Sequence, residues 1–343
     1  MNMQRGGITA GGTWIVDYTK RISMMPDAGA CTTILSETIN NGGAPFNLLV
    51  DLCRMESPFP LRAVGCVGQD VDGESILKEC ISHGIQTNRL TLRGGSFTSF
   101  TDLMIDTRSG VATAFNRPGA NSLLDIVDFD LDADPSRILF VGSLCFLSKL
   151  DAPDDAHGTQ LVRLLRDARK RGMQTCVDIV RSDVDRENFI QGSLAALQES
   201  DFILLNSDVA EILTGIPMKF PAGIDADAVK KGLDVLGELT GALYTVIRFP
   251  SGAMARDRDG TITAEGSVLL PKALIKSASG AGHAFTAGFL HAMHEEWPIA
   301  QALKLSNAVA AACLLHTTSS GGVRKVASCL SLMETYGQRK LPY

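Results

Sequence analysis

Short apolar runs alternate along this chain with segments whose apolar residues recur at helical spacing. Ile138-Leu139-Phe140-Val141, Thr175-Cys176-Val177-Asp178, Phe202-Ile203-Leu204-Leu205 and Tyr244-Thr245-Val246-Ile247 read as buried strands. Between them, 160–171 sets leucines and a valine on one helical face and arginines on the other, and 226–239 repeats the arrangement. Strands separated by crossover helices predict a mostly parallel sheet covered on both faces, a three-layer α/β/α domain. One stretch breaks the rhythm: 96–105 and 111–115, joined by Thr107-Arg108-Ser109-Gly110, read as a β-hairpin.

Composition narrows the class. At 343 residues, 45% hydrophobic and 20% charged, the chain is long enough for one large α/β domain with a small appendage. A formal net charge of −6, with scattered basic residues, leaves no footprint for nucleic acid and favours a small-molecule partner. The eight cysteines show no CxxC spacing and several fall inside apolar patterns, which reads as buried reduced thiols. No apolar run reaches the ~18 residues needed to span a bilayer and no leader pattern opens the chain, so a cytoplasmic protein without a membrane role is expected.

The stretch with most chemical content is Lys276-Ser277-Ala278-Ser279-Gly280-Ala281-Gly282-His283-Ala284-Phe285. Its small residues permit close backbone approach, and Phe285, Phe289, Leu290 and Met293 predict a following helix whose first N–H groups lack partners. Such an N-terminus holds a phosphate or a developing alkoxide; a plain tight turn is the alternative. His291 and His294 stand three apart near Glu295 and Glu296, as a polar helix end or a partial metal site. The acid runs 125–134 and 151–155 read as solvated loops, and Met24-Met25 as packing residues.

Four blocks give the chain, along nearly its whole length, a resemblance to the PfkB or ribokinase-like family of carbohydrate and nucleoside kinases. They are Gly12-Thr13-Trp14-Ile15-Val16-Asp17; Asn41-Gly42-Gly43-Ala44-Pro45-Phe46-Asn47 with Val64 to Gly73; Arg117-Pro118-Gly119-Ala120-Asn121; and the Gly-Ala-Gly helix start. The resemblance implies one ribokinase-like domain over 1–343, with a small β-sheet lid from segments near 13–40 and 92–118 that covers a sugar site and often forms a homodimer contact. It implies phosphoryl transfer from ATP, with Mg²⁺, to a sugar or nucleoside hydroxyl. It places Asp17, Gly42, Gly43 and Asn47 at substrate, Gly280, Ala281 and Gly282 at the anion hole, and Asn206, Arg248 and Gly252 near the nucleotide.

Several positions depart from that family's pattern. His283 stands where the family has its catalytic aspartate, and Ser277 and Ala278 replace the acid and threonine that open the same motif. The family's Asn-x-x-Glu reads Asn206-Ser207-Asp208-Val209, with Asp208 or Glu211 as imperfect substitutes, and its Thr-x-Gly reads Arg248-Phe249-Pro250. Proline donates no N–H, so a phosphate cradle of the family kind is not expected there, while Arg248 either pairs with an anion or fills the nucleotide groove. An imidazole at position 283 has a suitable proton affinity for a base but a longer, bulkier shape than a carboxylate. Two functions therefore remain: an impaired kinase, or a catalytically inactive sugar- or nucleoside-binding protein acting as a sensor or interaction partner.

Overall fold

Nine strands form the spine of the molecule, in the order Ile262–Gly266, Gly252–Asp257, Tyr244–Phe249, Phe202–Asn206, Gln174–Ile179, Ile138–Leu144, Ile8–Gly12, Leu61–Gly68 and Gln86–Arg93. The computed structural model describes residues 5–181, 185–221 and 223–341. In chain order the first elements are β1 (Ile8–Gly12), β2 (Ile15–Ile22), β3 (Ile34–Gly42), α1 (Ala44–Arg54), β4 (Leu61–Gly68), α2 (Val71–Ser82), β5 (Gln86–Arg93), β6 (Ser99–Asp106), β7 (Ala112–Arg117) and β8 (Ile138–Leu144). A short ribbon of β9 (Pro153–Asp154) and β10 (Gly158–Thr159) leads into α3 (Gln160–Lys170), β11 (Gln174–Ile179), α4 (Arg186–Leu197), β12 (Phe202–Asn206) and α5 (Ser207–Thr214). A second ribbon, β13 (Lys219–Phe220) with β14 (Gly223–Ile224), precedes α6 (Ala226–Thr240), β15 (Tyr244–Phe249), β16 (Gly252–Asp257) and β17 (Ile262–Gly266). Helices α7 (Ala281–His294), α8 (Ile299–Leu314) and α9 (Val326–Tyr336) close the chain.

The sheet is parallel from β5 to β15, and only β16 and β17 run antiparallel at one edge. Its strands carry apolar residues on both faces, and each face has its own core. One core packs α1, α7 and α8, with Phe202 and Phe289 edge to face at 5.9 Å. The other packs α3 and α6 through Leu161, Leu164, Leu165, Val229, Leu233 and Leu236. The helix starts follow from their caps: the Thr159 hydroxyl accepts from Val162 N at 3.2 Å, and Asp225 accepts from Asp227 and Ala228 N.

Strands β3-β2-β6-β7 make the small second sheet, with β2 parallel to β6 and the other pairs antiparallel. Its attachment depends on Trp14, fully buried, whose indole donates to Val64 O at 2.8 Å. Asn121 clamps the Trp14 backbone, accepting from its N at 3.0 Å and donating to its O at 3.1 Å. The block around residues 117–121 thus fixes the point at which the chain leaves the main sheet for the lid.

One reading of a polar segment needs correction. Within the acid runs, Asp134 is buried and accepts from the Thr9 hydroxyl at 2.6 Å, and Asp151 accepts from Leu147 N at 2.7 Å, because both carboxylates satisfy backbone and hydroxyl donors at strand ends. His291 and His294 do stand in the last turn of α7, where they also pack: His291 is buried against the Ser57 hydroxyl, and His294 Nε2 accepts from Gly7 N at 2.8 Å while its ring stacks on Phe59. Among the described residues no helix is long and apolar enough to cross a membrane. The cysteines form no disulfide, and five of the eight are buried.

Candidate active site

Strand β1 is hydrogen-bonded to β4 on one side and β8 on the other, which makes its C-terminal end the place where crossovers diverge and a crevice opens. A cleft of about 1400 Å³ lies there, roofed by the small sheet. Thr13, Asp17, Gly43, Asn47, Ser143, Gly280 and His283 all line it.

Asp17 reaches the cleft from the middle of β2, opposite Asn40 on β3 and Thr101 on β6, rather than from a strand end. Burial pushes its carboxyl up to about 6, against a smaller opposing pull from His283. Gly42 permits this placement, because a Cβ there would stand 2.4 Å from Asp17 Oδ2. Gly43 has φ 98° and starts α1 with its Cα against Thr13 O, a conformation that disfavours any side chain. The two glycines accommodate the chain's own close approach and leave Asn47, one turn into α1, buried at the cleft wall.

Asn47 Nδ2 lies 3.3 Å from His283 Nδ1, and Asn47 Oδ1 is buried with no partner among the described residues. On the other side of the ring, His283 Nε2 faces Asp178 Oδ2 at 3.6 Å. Asp178 ends β11 and accepts from the Ser143 hydroxyl at 2.8 Å. Burial alone would raise the Asp178 carboxyl, but His283, Ser143 and the nearby charge of Arg248 outweigh it and hold it below the usual range. A proton on Nε2 is therefore the one this carboxylate stabilises, leaving Nδ1 as the acceptor nitrogen.

Helix α7 begins behind this ring. Gly280 takes the left-handed conformation with φ 81° and offers no capping side chain, and helical geometry leaves the N–H groups of Gly282 and His283 without intrahelical acceptors. The Arg248 guanidinium, at the end of β15, lies across Gly282: a Cβ on that glycine would stand 2.5 Å from Arg248 Nη2. Arg248 Nε is buried without a partner. A cation held against the positive end of a helix is a place for an anion.

The other nucleotide-side positions are occupied differently. Asn206 caps α5, its Oδ1 accepting from Val209 N at 2.8 Å. Gly252 serves the β15–β16 hairpin, where a Cβ would meet Glu265 O at 2.3 Å. Glu211 accepts from Met218 N at 2.5 Å and Lys219 N at 2.7 Å, and Asp208 pairs with Lys219. Neither carboxylate is free for a metal, so the residues around Asn206 do not fit the expected Mg²⁺ arrangement. On the anion side, the Arg248 guanidinium and the unpaired N–H groups at the start of α7 are donors of the kind a phosphate needs, packed against each other at Gly282 beside the cleft.

Asp178 and Ser143 were not among the sequence candidates. The signal for Asp178 was its position as the one acid closing a run of buried strand residues, which points a carboxylate out of the sheet's C-terminal edge. Ser143 carries no such signal, since a serine in an apolar strand is common.

An α/β sheet with a cleft at its switch point, a glycine-rich helix start beside it and a small β sheet over it is the ribokinase-like fold. Residues 29–325 match the family model described as pfkB family carbohydrate kinase. Among solved structures, the Arabidopsis thaliana ribokinase complexed with ribose and ATP is 18% identical, with 96% of this chain and 99% of that chain covered at a TM-score of 0.75. The Burkholderia thailandensis nucleoside kinase in complex with inosine is 16% identical, covers 97% and 100%, and has a TM-score of 0.73. The Cryptococcus neoformans ribokinase in complex with ADP is 14% identical, covers 95% and 99%, and has a TM-score of 0.76. The chain belongs to the PfkB family of carbohydrate kinases.

Proposed function

We propose that the protein phosphorylates a hydroxyl of a sugar or nucleoside, with His283 as the base and Asp178 as the residue that positions it. The observation that carries this reading is the placement of His283 between Asn47 at 3.3 Å and Asp178 at 3.6 Å, which replaces one carboxylate base by an imidazole backed by a carboxylate. A substrate hydroxyl displaces the Asn47 amide from Nδ1, and its proton passes to that nitrogen as its oxygen bonds to the γ-phosphorus of ATP, whose bond to the β–γ bridging oxygen breaks so that ADP leaves. The resulting imidazolium is stabilised by Asp178 through Nε2. Asp17 and the unpartnered Oδ1 of Asn47 accept hydrogen bonds from further hydroxyls and hold the substrate in line. ATP, when bound, supplies the phosphoryl group; Arg248 and the N–H groups at Gly282 and His283 neutralise charge that develops on it.

A second reading is favoured by a different observation. Val209 occupies the acid position after Asn206, and Asp208 and Glu211 are engaged elsewhere, so the metal-handling side is weaker than the sugar side. On that reading the protein captures its ligand without turnover. Titrating a panel of sugars and nucleosides calorimetrically, then following ATP consumption and product mass with the ligands that bind, separates the two. Phosphorylated product supports the kinase, and binding without product refutes it. Two copies associate through the lid, whose edge strands β3 and β7 expose Ile34, Leu35, Ile39 and Phe115.

A further inference from the structure

We propose that a phosphate-bearing small anion binds in a second hollow, which shares no lining residue with the sugar cleft, between Arg54, Arg324 and Lys325 where α9 begins. The hollow has a volume of about 620 Å³ and is also lined by Glu56, His316, Thr318 and Ser328. Three permanent cations face one carboxylate there, in a chain whose net charge is −6.

The pairing within the hollow is incomplete. Lys325 Nζ meets Glu56 Oε1 at 2.8 Å. Arg324 donates from Nη1 to backbone oxygens, Gly321 O at 2.7 Å and Val323 O at 2.9 Å, and is in no ion pair among the described residues. Arg54 makes no ion pair either, and its Nε is buried without a hydrogen-bond partner. The acid nearest to it along α1, Asp51, is fully buried and forms no ion pair among the described residues. Burial raises that carboxyl above its ordinary range, against smaller pulls from the Ser320 hydroxyl and from Arg54 itself.

Two guanidiniums and an ammonium around one hollow suit a compact dianion, because planar N–H forks engage two oxygens of a tetrahedral phosphate at once. The hydroxyls of Thr318 and Ser328 line the same space and can donate to the remaining oxygens. The first turn of α9 has neither a capping side chain nor an acid, which adds to the positive potential. The volume exceeds what inorganic phosphate fills, so the ligand class is a phosphorylated small molecule, with free phosphate as its minimal form.

The test is histidine-ring NMR of the full chain, titrated with inorganic phosphate and, in a separate arm, with glycerol phosphate at constant ionic strength. His316 reports on this hollow and His283 on the sugar cleft. Saturable movement of the His316 resonance is expected, with a midpoint that rises at least tenfold in the Arg54→Gln/Arg324→Gln double variant while the His283 response is unchanged. Should that variant not fold, Glu56→Gln decides: removing the one carboxylate lowers the His316 midpoint severalfold. A His316 resonance that does not saturate in wild type, or a midpoint unmoved in the folded double variant or in Glu56→Gln, overturns the proposal. A lower midpoint for glycerol phosphate than for phosphate identifies the ester as the better ligand, and equal midpoints assign the site to the phosphate group alone.

Discussion

Replacing Asp17 by asparagine removes a carboxyl that the lid and cleft wall hold at about 6 instead of 3.8. Because the folded value lies above the unfolded one, the native protein holds this proton more tightly than the unfolded chain does. The stability it contributes is full below about pH 3.8 and is lost as the pH rises through about 6. The whole effect is worth about 3 kcal/mol, of which about 1.4 kcal/mol falls between pH 5 and pH 8. Asparagine keeps the shape and does not titrate. Equilibrium urea unfolding of both proteins should therefore show the asparagine variant gaining about 1.4 kcal/mol relative to wild type between pH 5 and pH 8, since all other groups are common to the pair. The same variant should bind the sugar or nucleoside more weakly, because an anionic acceptor becomes a neutral amide. A stability difference that is flat across this range would refute the assignment of Asp17 as a desolvated carboxyl whose cost the site sustains for ligand binding.

Other substitutions test separate parts of the account. Gly282→Ala pushes the far end of the Arg248 side chain away from the start of α7, so calorimetric ATP affinity should fall while the thermal midpoint changes little. Arg248→Met removes a buried Nε that has no partner: the free protein should be more stable by about 1–2 kcal/mol while calorimetric ATP binding weakens. Leu35→Glu places a charge in the exposed apolar strip of β3 and should convert a dimer to a monomer in light scattering, with the thermal midpoint of the monomer little changed.

Much of the architecture was legible because burial imposes a period. The strands at 138–141, 175–178, 202–205 and 244–247 are apolar on both faces, and α3 and α6 keep a single apolar stripe, so their exchange along the chain prescribes a covered parallel sheet. Of the residues singled out in the sequence, Gly43, Asn47 and Gly280 stand together at the wall of one cleft. The site was not legible where the decisive partner comes from a distant strand end. Asp178 is 105 residues from His283 in sequence and meets it only because β11 ends where α7 begins. The acid runs failed for the opposite reason: Asp134 and Asp151 look solvated in a polar stretch, yet each finishes the hydrogen bonding of a buried strand end.

The central claim is that an imidazole positioned by Asp178 does the work of a base. Single-turnover formation of phosphorylated product, followed across pH in wild type, His283→Gln and Asp178→Asn, tests it most directly. The account predicts product in wild type, a loss of about 10²–10⁴-fold in His283→Gln with sugar affinity retained, and in Asp178→Asn a smaller loss together with an altered pH profile. Turnover in His283→Gln equal to wild type, or no product from any bound sugar or nucleoside, would contradict it.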